Sequence, residues 1–235
     1  MLAQHEKKEV ILFGYGKFGR VMYHKLKEEG FRIRVATMMQ SNNDDAVADH
    51  IPDVRAFNPK HNDSISSLGI DTSRHLLYCV MDHTANNLFL VLSLRELYHE
   101  ATIVAISNSD ENTRKLRFAG ADIVINIYDA SANHIVSSIT KPSVTKAINT
   151  IVYERNDLKI AEVVLEKQSS LNDKTIKEID FKSRSLVLIA IIDKELGKEL
   201  IYMSKGIDHK LDEGDTLVLA GTIEAIDSFR EAFHT

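Results

Sequence analysis

The sequence predicts an α/β chain, a doubly wound parallel sheet followed by a smaller α+β lobe. Three observations carry that prediction. Short apolar runs alternate with helical patterns through the first half of the chain. A glycine-rich turn joins the first run to the first helix. Beyond Asp157 the alternation gives way to strands. Strand–helix alternation argues for parallel strands with right-handed crossovers, and a strand-rich tail for a unit packed on its own.

The first strand covers 10–13, the apolar run Val10-Ile11-Leu12-Phe13. A helix over 17–29 follows, with Phe18, Val21, Met22 and Leu26 spaced for one buried face and Gly30 as its stop. Strand two covers 31–39, where Ile33, Val35 and Thr37 alternate with Arg32 and Arg34. Residues 41–45 cap a short helix ending near Ile51-Pro52, and 54–57 form strand three. A helix over 62–68 closes at Gly69, strand four covers 74–81, and a leucine-rich helix covers 84–99. Strand five is 101–107. Ser109 caps a helix over 110–119, whose first acids, Asp110 and Glu111, suit its positive end. Gly120 ends it, and 121–127 is strand six.

A long helical stretch over 129–154 is broken at Lys141-Pro142, because proline removes a helix hydrogen bond and clashes with the preceding turn. The tail reads as a strand over 159–166, a short helix over 173–179, and strands over 186–193 and 199–203 around a hairpin turn at 194–198. A turn at 212–215, a strand over 216–220 and an amphipathic helix over 223–233 complete it. The expected domains are 1–140, a kinked crossover over 141–157, and 158–235.

The turn Gly14-Tyr15-Gly16-Lys17-Phe18-Gly19-Arg20, directly behind a strand and opening a helix, reads as the anion cradle of a Rossmann-like, dinucleotide-binding fold. The first glycine permits the turn, the second lets backbone approach a pyrophosphate, and the third lets helix pack on strand. The helix N-terminus supplies free N–H groups. A purely structural turn is the competing reading, since a fold can keep its turn and lose its ligand.

Composition narrows the class. The net charge is −5, with signs mixed and no basic stripe, which argues against a nucleic-acid partner. The single cysteine, Cys79, excludes a disulfide framework and sits in an apolar run as a buried small hydrophobe. No apolar run approaches the roughly 20 residues of a membrane-spanning helix. A membrane partner would be a separate subunit or an upstream segment. The ten histidines lack ligand spacing, so no metal site is expected. Asp208, Asp212, Glu213 and Asp215 read as solvated turn carboxylates, with a weak cation site as the alternative. Leu186, Leu188, Ala190 and Ile192 read as one strand face, in a core or a dimer surface.

Four segments point to a family. They are the run from Val10 to Arg20, Leu116-Arg-Phe-Ala-Gly-Ala-Asp-Ile-Val-Ile125, Ser169-Ser-Leu-Asn-Asp-Lys-Thr-Ile-Lys-Glu-Ile179 and Leu211-Asp-Glu-Gly-Asp-Thr-Leu-Val-Leu-Ala-Gly221. In this order and spacing the chain resembles RCK proteins (regulators of K⁺ conductance) of the Trk/Ktr regulatory-subunit kind. The resemblance covers residues 10–233. It implies a non-enzymatic, cytoplasmic gating module at the inner face of the membrane. Such a module pairs as a homodimer or larger ring and acts on a K⁺ channel or uptake transporter through ligand-linked changes of shape. Regulation of a K⁺/H⁺ antiporter is the first alternative. A nicotinamide-dependent oxidoreductase is the second, and the tail lacks the acid–base constellation it would need.

The chain departs from the family pattern at the ligand. The acid expected about 20 residues past the glycines, to hold ribose hydroxyls, falls near Thr37, and no carboxylate occurs between Glu29 and Asp44. The family's "GD" after strand three reads Asn58-Pro59, and its arginine after strand five reads Ser107. Two accounts follow. Either the cleft no longer binds a standard dinucleotide, or a different adenine ligand (NAD(H), AMP, ADP or ATP) is held by backbone and by Arg20, Met38, Met81 and Asp82. Arg20 reads either as a phosphate partner or as a surface ion pair, and Asp82 either as a ligand contact or as the cap of the helix at Thr84.

Overall fold

The structure is a computed structural model that describes residues 9–38, 40–152, 157–197, 199–203, 206, 208–233 and 235. Its contacts divide the chain into two units, Met1–Ile135 and Val136–Thr235.

In the first unit, β1 (Glu9–Phe13), β2 (Ile33–Thr37), β3 (Val54–Ala56), β4 (His75–Cys79), β5 (Thr102–Ser107) and β6 (Ile123–Asn126) form one sheet. Every pairing is parallel and the order is β3-β2-β1-β4-β5-β6, the doubly wound arrangement. The helices are α1 (Lys17–Glu28), α2 (Gln40–Ala48), α3 (Asn62–Ser66), α4 (Thr84–Leu97) and α5 (Asp110–Phe118). Two apolar clusters cover the sheet. One gathers Ile11, Phe13, Leu77, Leu90, Leu94 and Ile103, the other Val10, Leu12, Tyr23, Leu26 and Val35. Both faces of β1 are therefore buried, as its continuous apolar run requires. Strand order reverses between β1 and β4, and this is where doubly wound sheets open a crevice at the strand ends.

The buried face of α1 differs from its expected set. Tyr23 fills it with Leu26 and Gly19, while Val21 is 60% exposed. Tyr23 earns the place by packing edge-on against the wholly buried Tyr15 ring. Strand two stops at Thr37, and Met39 lies outside the described residues. The helix of α2 ends at Ala48 rather than near Ile51, because His50 turns to φ +56°. Ser109 caps α5 by accepting from the Asn112 N–H at 3.3 Å.

The crossover is two helices, α6 (Ile127–Thr140) and α7 (Pro142–Val152). Pro142 occupies the first position of α7, where its missing N–H costs nothing.

In the second unit, β7 (Leu158–Val164), β8 (Leu186–Ile192), β9 (Leu200–Tyr202) and β10 (Thr216–Thr222) make an antiparallel sheet in the order β7-β10-β8-β9. Leu171, Leu217, Leu219, Ile226 and Phe229, the last two from α8 (Ile223–Phe233), form its core. Two expectations fail here. The helix over 173–179 is only a 3₁₀ turn, Ile176–Glu178. Asp173 has φ +70°, and the neighbouring backbone bonds to 209–211 instead, Ile176 N–H to His209 and Leu211 N–H to Lys174. The strict alternation of Leu186, Leu188, Ala190 and Ile192 also breaks. The register shifts opposite Val218/Leu219, Ile189 is left unpaired, and Ile191 enters the core where Ile192 was expected. Among the described residues no helix is long and apolar enough to cross a membrane.

Candidate functional site

The site grows from the ends of β1, β2 and β4. Gly14 follows β1 with φ +110°, and a Cβ there would lie 2.8 Å from the Met81 Cα. A Cβ on Gly19 would overlap the Gly14 carbonyl oxygen, so α1 can sit this close to β1 only with glycine at that position. These two glycines are required by the turn itself, whether or not a ligand is held.

Gly16 has a different neighbour. A Cβ on it would overlap the carboxylate of Asp82. Asp82 therefore lies against the glycine that a dinucleotide cradle keeps bare for the pyrophosphate. It does not cap α4. The residue before that helix is His83, and no side chain bonds its first N–H groups. Among the described residues Asp82 has no hydrogen-bond or ion-pair partner.

Met81 is fixed by a residue that the sequence did not single out. Asn87, 1% exposed, accepts from the Met81 N–H and donates to the Met81 carbonyl, both at 2.9 Å. This clamp holds the β4–α4 loop against Gly14. Its only sequence signal is an asparagine on the buried face of a leucine-rich helix.

Thr37 is 1% exposed, and its hydroxyl donates to Asn43 of α2 at 3.3 Å. It is thus turned into the β2–α2 connection rather than free to grip a ribose. Arg20 pairs with Asp45 at 3.0 Å and Asp49 at 3.4 Å and lies over the Tyr15 ring, which realises its surface ion-pair reading. Tyr15 is buried and its hydroxyl donates to Asp49 at 2.8 Å. Burial first, and then the Asp49 carboxylate, push that phenol well above its ordinary pKa. Lys17 is exposed in the first turn of α1, while Phe18 is half-buried against the core beneath it.

The other departures from the family pattern are also tied up locally. The Ser107 hydroxyl shares a 2.6 Å hydrogen bond with Thr113. Asn58 organises the turn after β3, its N–H donating to the Ser64 hydroxyl at 2.9 Å and its side chain accepting from the Lys60 N–H at 3.0 Å. Cys79 is fully buried, as its apolar run predicts, and burial pushes its thiol upward.

A cavity of about 190 Å³ opens between Gly14, Met38, Asn42, Met81, Asp82, His83 and Asn86. Pockets that enclose whole small-molecule ligands usually run about 300–1,000 Å³. The cavity has two thioethers, which pack well on flat rings, and two side-chain amides, which can pair with ring nitrogens. Those features suit a purine. They do not fit a dinucleotide gripped in the usual way, because the ribose acid is absent at Thr37 and Asp82 stands at the pyrophosphate position.

In the second unit the acidic turn is not simply solvated. Asp215 is 2% exposed, accepts the N–H groups of Lys194 and Asp212, each at 3.0 Å, and lies 3.1 Å from His209 Nε2. Asp208 pairs with Lys177 at 3.2 Å. No cluster with metal-binding geometry occurs among the described residues.

Comparison with known proteins places these observations. The TrkA-N domain model matches residues 10–127 and the TrkA-C domain model residues 160–234. The chain is 26% identical over 230 residues to the probable potassium channel protein 2 of Methanocaldococcus jannaschii, covering 93% of this chain and 64% of that protein. It is 25% identical over 234 residues to the Ktr system potassium uptake protein C of Bacillus subtilis, covering 97% of this chain and 99% of that one. The chain thus spans about two thirds of the channel relative and nearly all of the uptake relative. Among solved structures, the GsuK channel aligns with TM-score 0.50 and 21% identity over 96% of this chain and 38% of its own. The NAD(P)-binding domain of an exopolyphosphatase-related protein from Archaeoglobus fulgidus aligns with TM-score 0.51 and 16% identity, over 57% of this chain and 98% of its own. At those identities the structures speak to the fold alone. With both domain models matched in order over 10–127 and 160–234, this protein belongs to the TrkA-N/TrkA-C family, the RCK proteins.

Proposed function

We propose that this chain is a cytoplasmic regulatory module of K⁺ transport. It would act at the inner face of the membrane on a channel or uptake-transporter subunit and carry no catalytic activity of its own. The observation that carries this reading is the ordered pair of TrkA-N and TrkA-C domains, shared along the chain with relatives named as a potassium channel and a potassium uptake protein. In this reading 1–140 is the nucleotide-fold lobe, 141–157 the hinge and 158–235 the second lobe.

The module would act as a homodimer or larger ring. In support, Phe118 is 91% exposed, and Ile123, Ile125 and Tyr128 are exposed beside it in sequence. Large apolar side chains gathered in solvent mark association surfaces. The ligand would sit at the ends of β1 and β4, in the cavity beside Gly14 and Met81, and be an adenine compound. It can drive the pore only by its difference in affinity between two shapes of the assembly. The helix break at Pro142 is where we place the bend.

Two measurements test this. Deleting the gene should change Rb⁺ or K⁺ flux in K⁺-limited cells, and the wild-type gene should restore it; unchanged flux would sink the proposal. Light scattering should find a dimer or larger species, and a monomer at high concentration would remove the assembly on which the mechanism rests.

A further inference from the structure

A dinucleotide cradle works by leaving its middle glycine bare. In this chain the bare face of Gly16 is already taken, and what takes it is a carboxylate. The Asp82 side chain stands where a Cβ of Gly16 would have to go, at the N-terminus of α1, and it also lines the cavity beside Gly14 and Met81. The backbone behind it cannot drift, since Asn87 clamps Met81 through both its N–H and its carbonyl. Of the two cations of the turn, Arg20 is held by Asp45 and Asp49, and Lys17 is exposed in the first turn of α1. A phosphate entering the cradle therefore meets a negative charge in its place and finds the nearest guanidinium engaged.

We propose that Asp82 is a specificity-determining residue that excludes phosphate from the glycine turn, so that the site favours the uncharged adenosine end of a ligand over its phosphates. This rests on the reading that the ends of β1 and β4 form an adenine site. The carboxylate acts twice, by occupying space against Gly16 and by like-charge repulsion. Having no hydrogen-bond partner among the described residues, it leaves no donor unpaired when removed. A mononucleotide or dinucleotide would bind with its phosphates at the turn only after Asp82 swings out, and that displacement lowers its apparent affinity.

The test is calorimetry on the full chain with adenosine, AMP, ADP and NAD⁺ at one fixed ionic strength. Wild type is compared with Asp82→Ala and Asp82→Asn, and melting temperatures confirm that each variant folds. Asp82→Ala should bind ADP and NAD⁺ at least tenfold tighter relative to adenosine on the same protein than wild type does. Asp82→Asn, which keeps the bulk and loses the charge, should fall between. If, relative to adenosine, wild type and Asp82→Ala bind ADP equally well, or the variant binds it more weakly, the role given to Asp82 is wrong while the adenine site stands. If no adenine compound binds any of the three proteins, the adenine site itself is wrong and the proposal goes with it.

Discussion

Two aspartates beside glycine turns have opposite environments in the two units. In the second unit Asp215 is buried, accepts two backbone N–H groups and meets His209, so its carboxylate ties the segment after β8 to the turn before β10. In the first unit Asp82 is exposed, packs against Gly16 and is bonded to nothing among the described residues. The same side chain is a structural strut in one place and a ligand filter in the other. Hydrogen bonding decides which. A buried carboxylate that satisfies backbone donors contributes to folding, and one without partners is free to contribute to selection.

The comparison breaks most visibly at Asp215. Asp215→Ala leaves the N–H groups of Lys194 and Asp212, both in a partly buried setting, without their acceptor and should cost about 2 kcal/mol. Hydrogen exchange should accelerate through β8 and β10. Protection as in wild type would show that the carboxylate is no strut. Of similar size is Asn87→Ala, which unpairs both polar groups of the Met81 backbone in a buried setting and should cost roughly 2 kcal/mol. The loss should appear in the melting of the first unit, together with weaker adenosine binding. A variant that melts as wild type would mean Met81 is not held by this clamp.

A smaller effect sharpens the account of Asp82. Gly16→Ala forces the new Cβ against the Asp82 carboxylate, whereas the same change in an Asp82→Ala background meets less. The double-mutant cycle should show a coupling of about 1 kcal/mol, and strict additivity would separate the two residues. The smallest effect is on pH dependence. Partial burial pushes the Asp53 carboxyl up, but Arg34 at 2.7 Å and Arg55 at 3.2 Å outweigh it and hold the group below its ordinary range. A carboxyl depressed in the folded state gives stability that is present above its unfolded pKa, about 4, and lost as pH falls through the folded value. Melting of the first unit should therefore drop below about pH 4, and Asp53→Asn should flatten that limb. An unchanged slope would assign the acid loss elsewhere.

Much of this was legible in the sequence, for physical reasons that mark where it was not. The six parallel strands announce themselves because buried strands need continuous apolar runs and their helices need capped, periodic faces. The missing carboxylate at Thr37 was equally visible, since it is a statement about composition. Contacts between distant segments were not legible. Nothing in Gly16 or Asp82 taken singly says that one packs on the other; the β1–β4 pairing brings them together. Asp215 reads like any solvated turn acid until its N–H partners on Lys194 and Asp212 are seen. Val21 was misplaced because Tyr15 offers the facing aromatic surface to Tyr23. The bulge at Ile189 defeated a simple period of two because the extra residue leaves no compositional mark.

A first unit that takes the adenosine end of a ligand at Gly14 and Met81, with Asp82 keeping phosphates out, should show it in the backbone amides of the β1 and β4 ends. The most direct measurement is a titration of the isotope-labelled full chain, following backbone amide resonances, with adenosine and then with ADP. Adenosine should move the amides of Gly14, Met38 and Met81, and ADP should move them far less in wild type but comparably in Asp82→Ala. Shifts confined to the second unit, or an equal response of the wild-type cradle to both ligands, would contradict it.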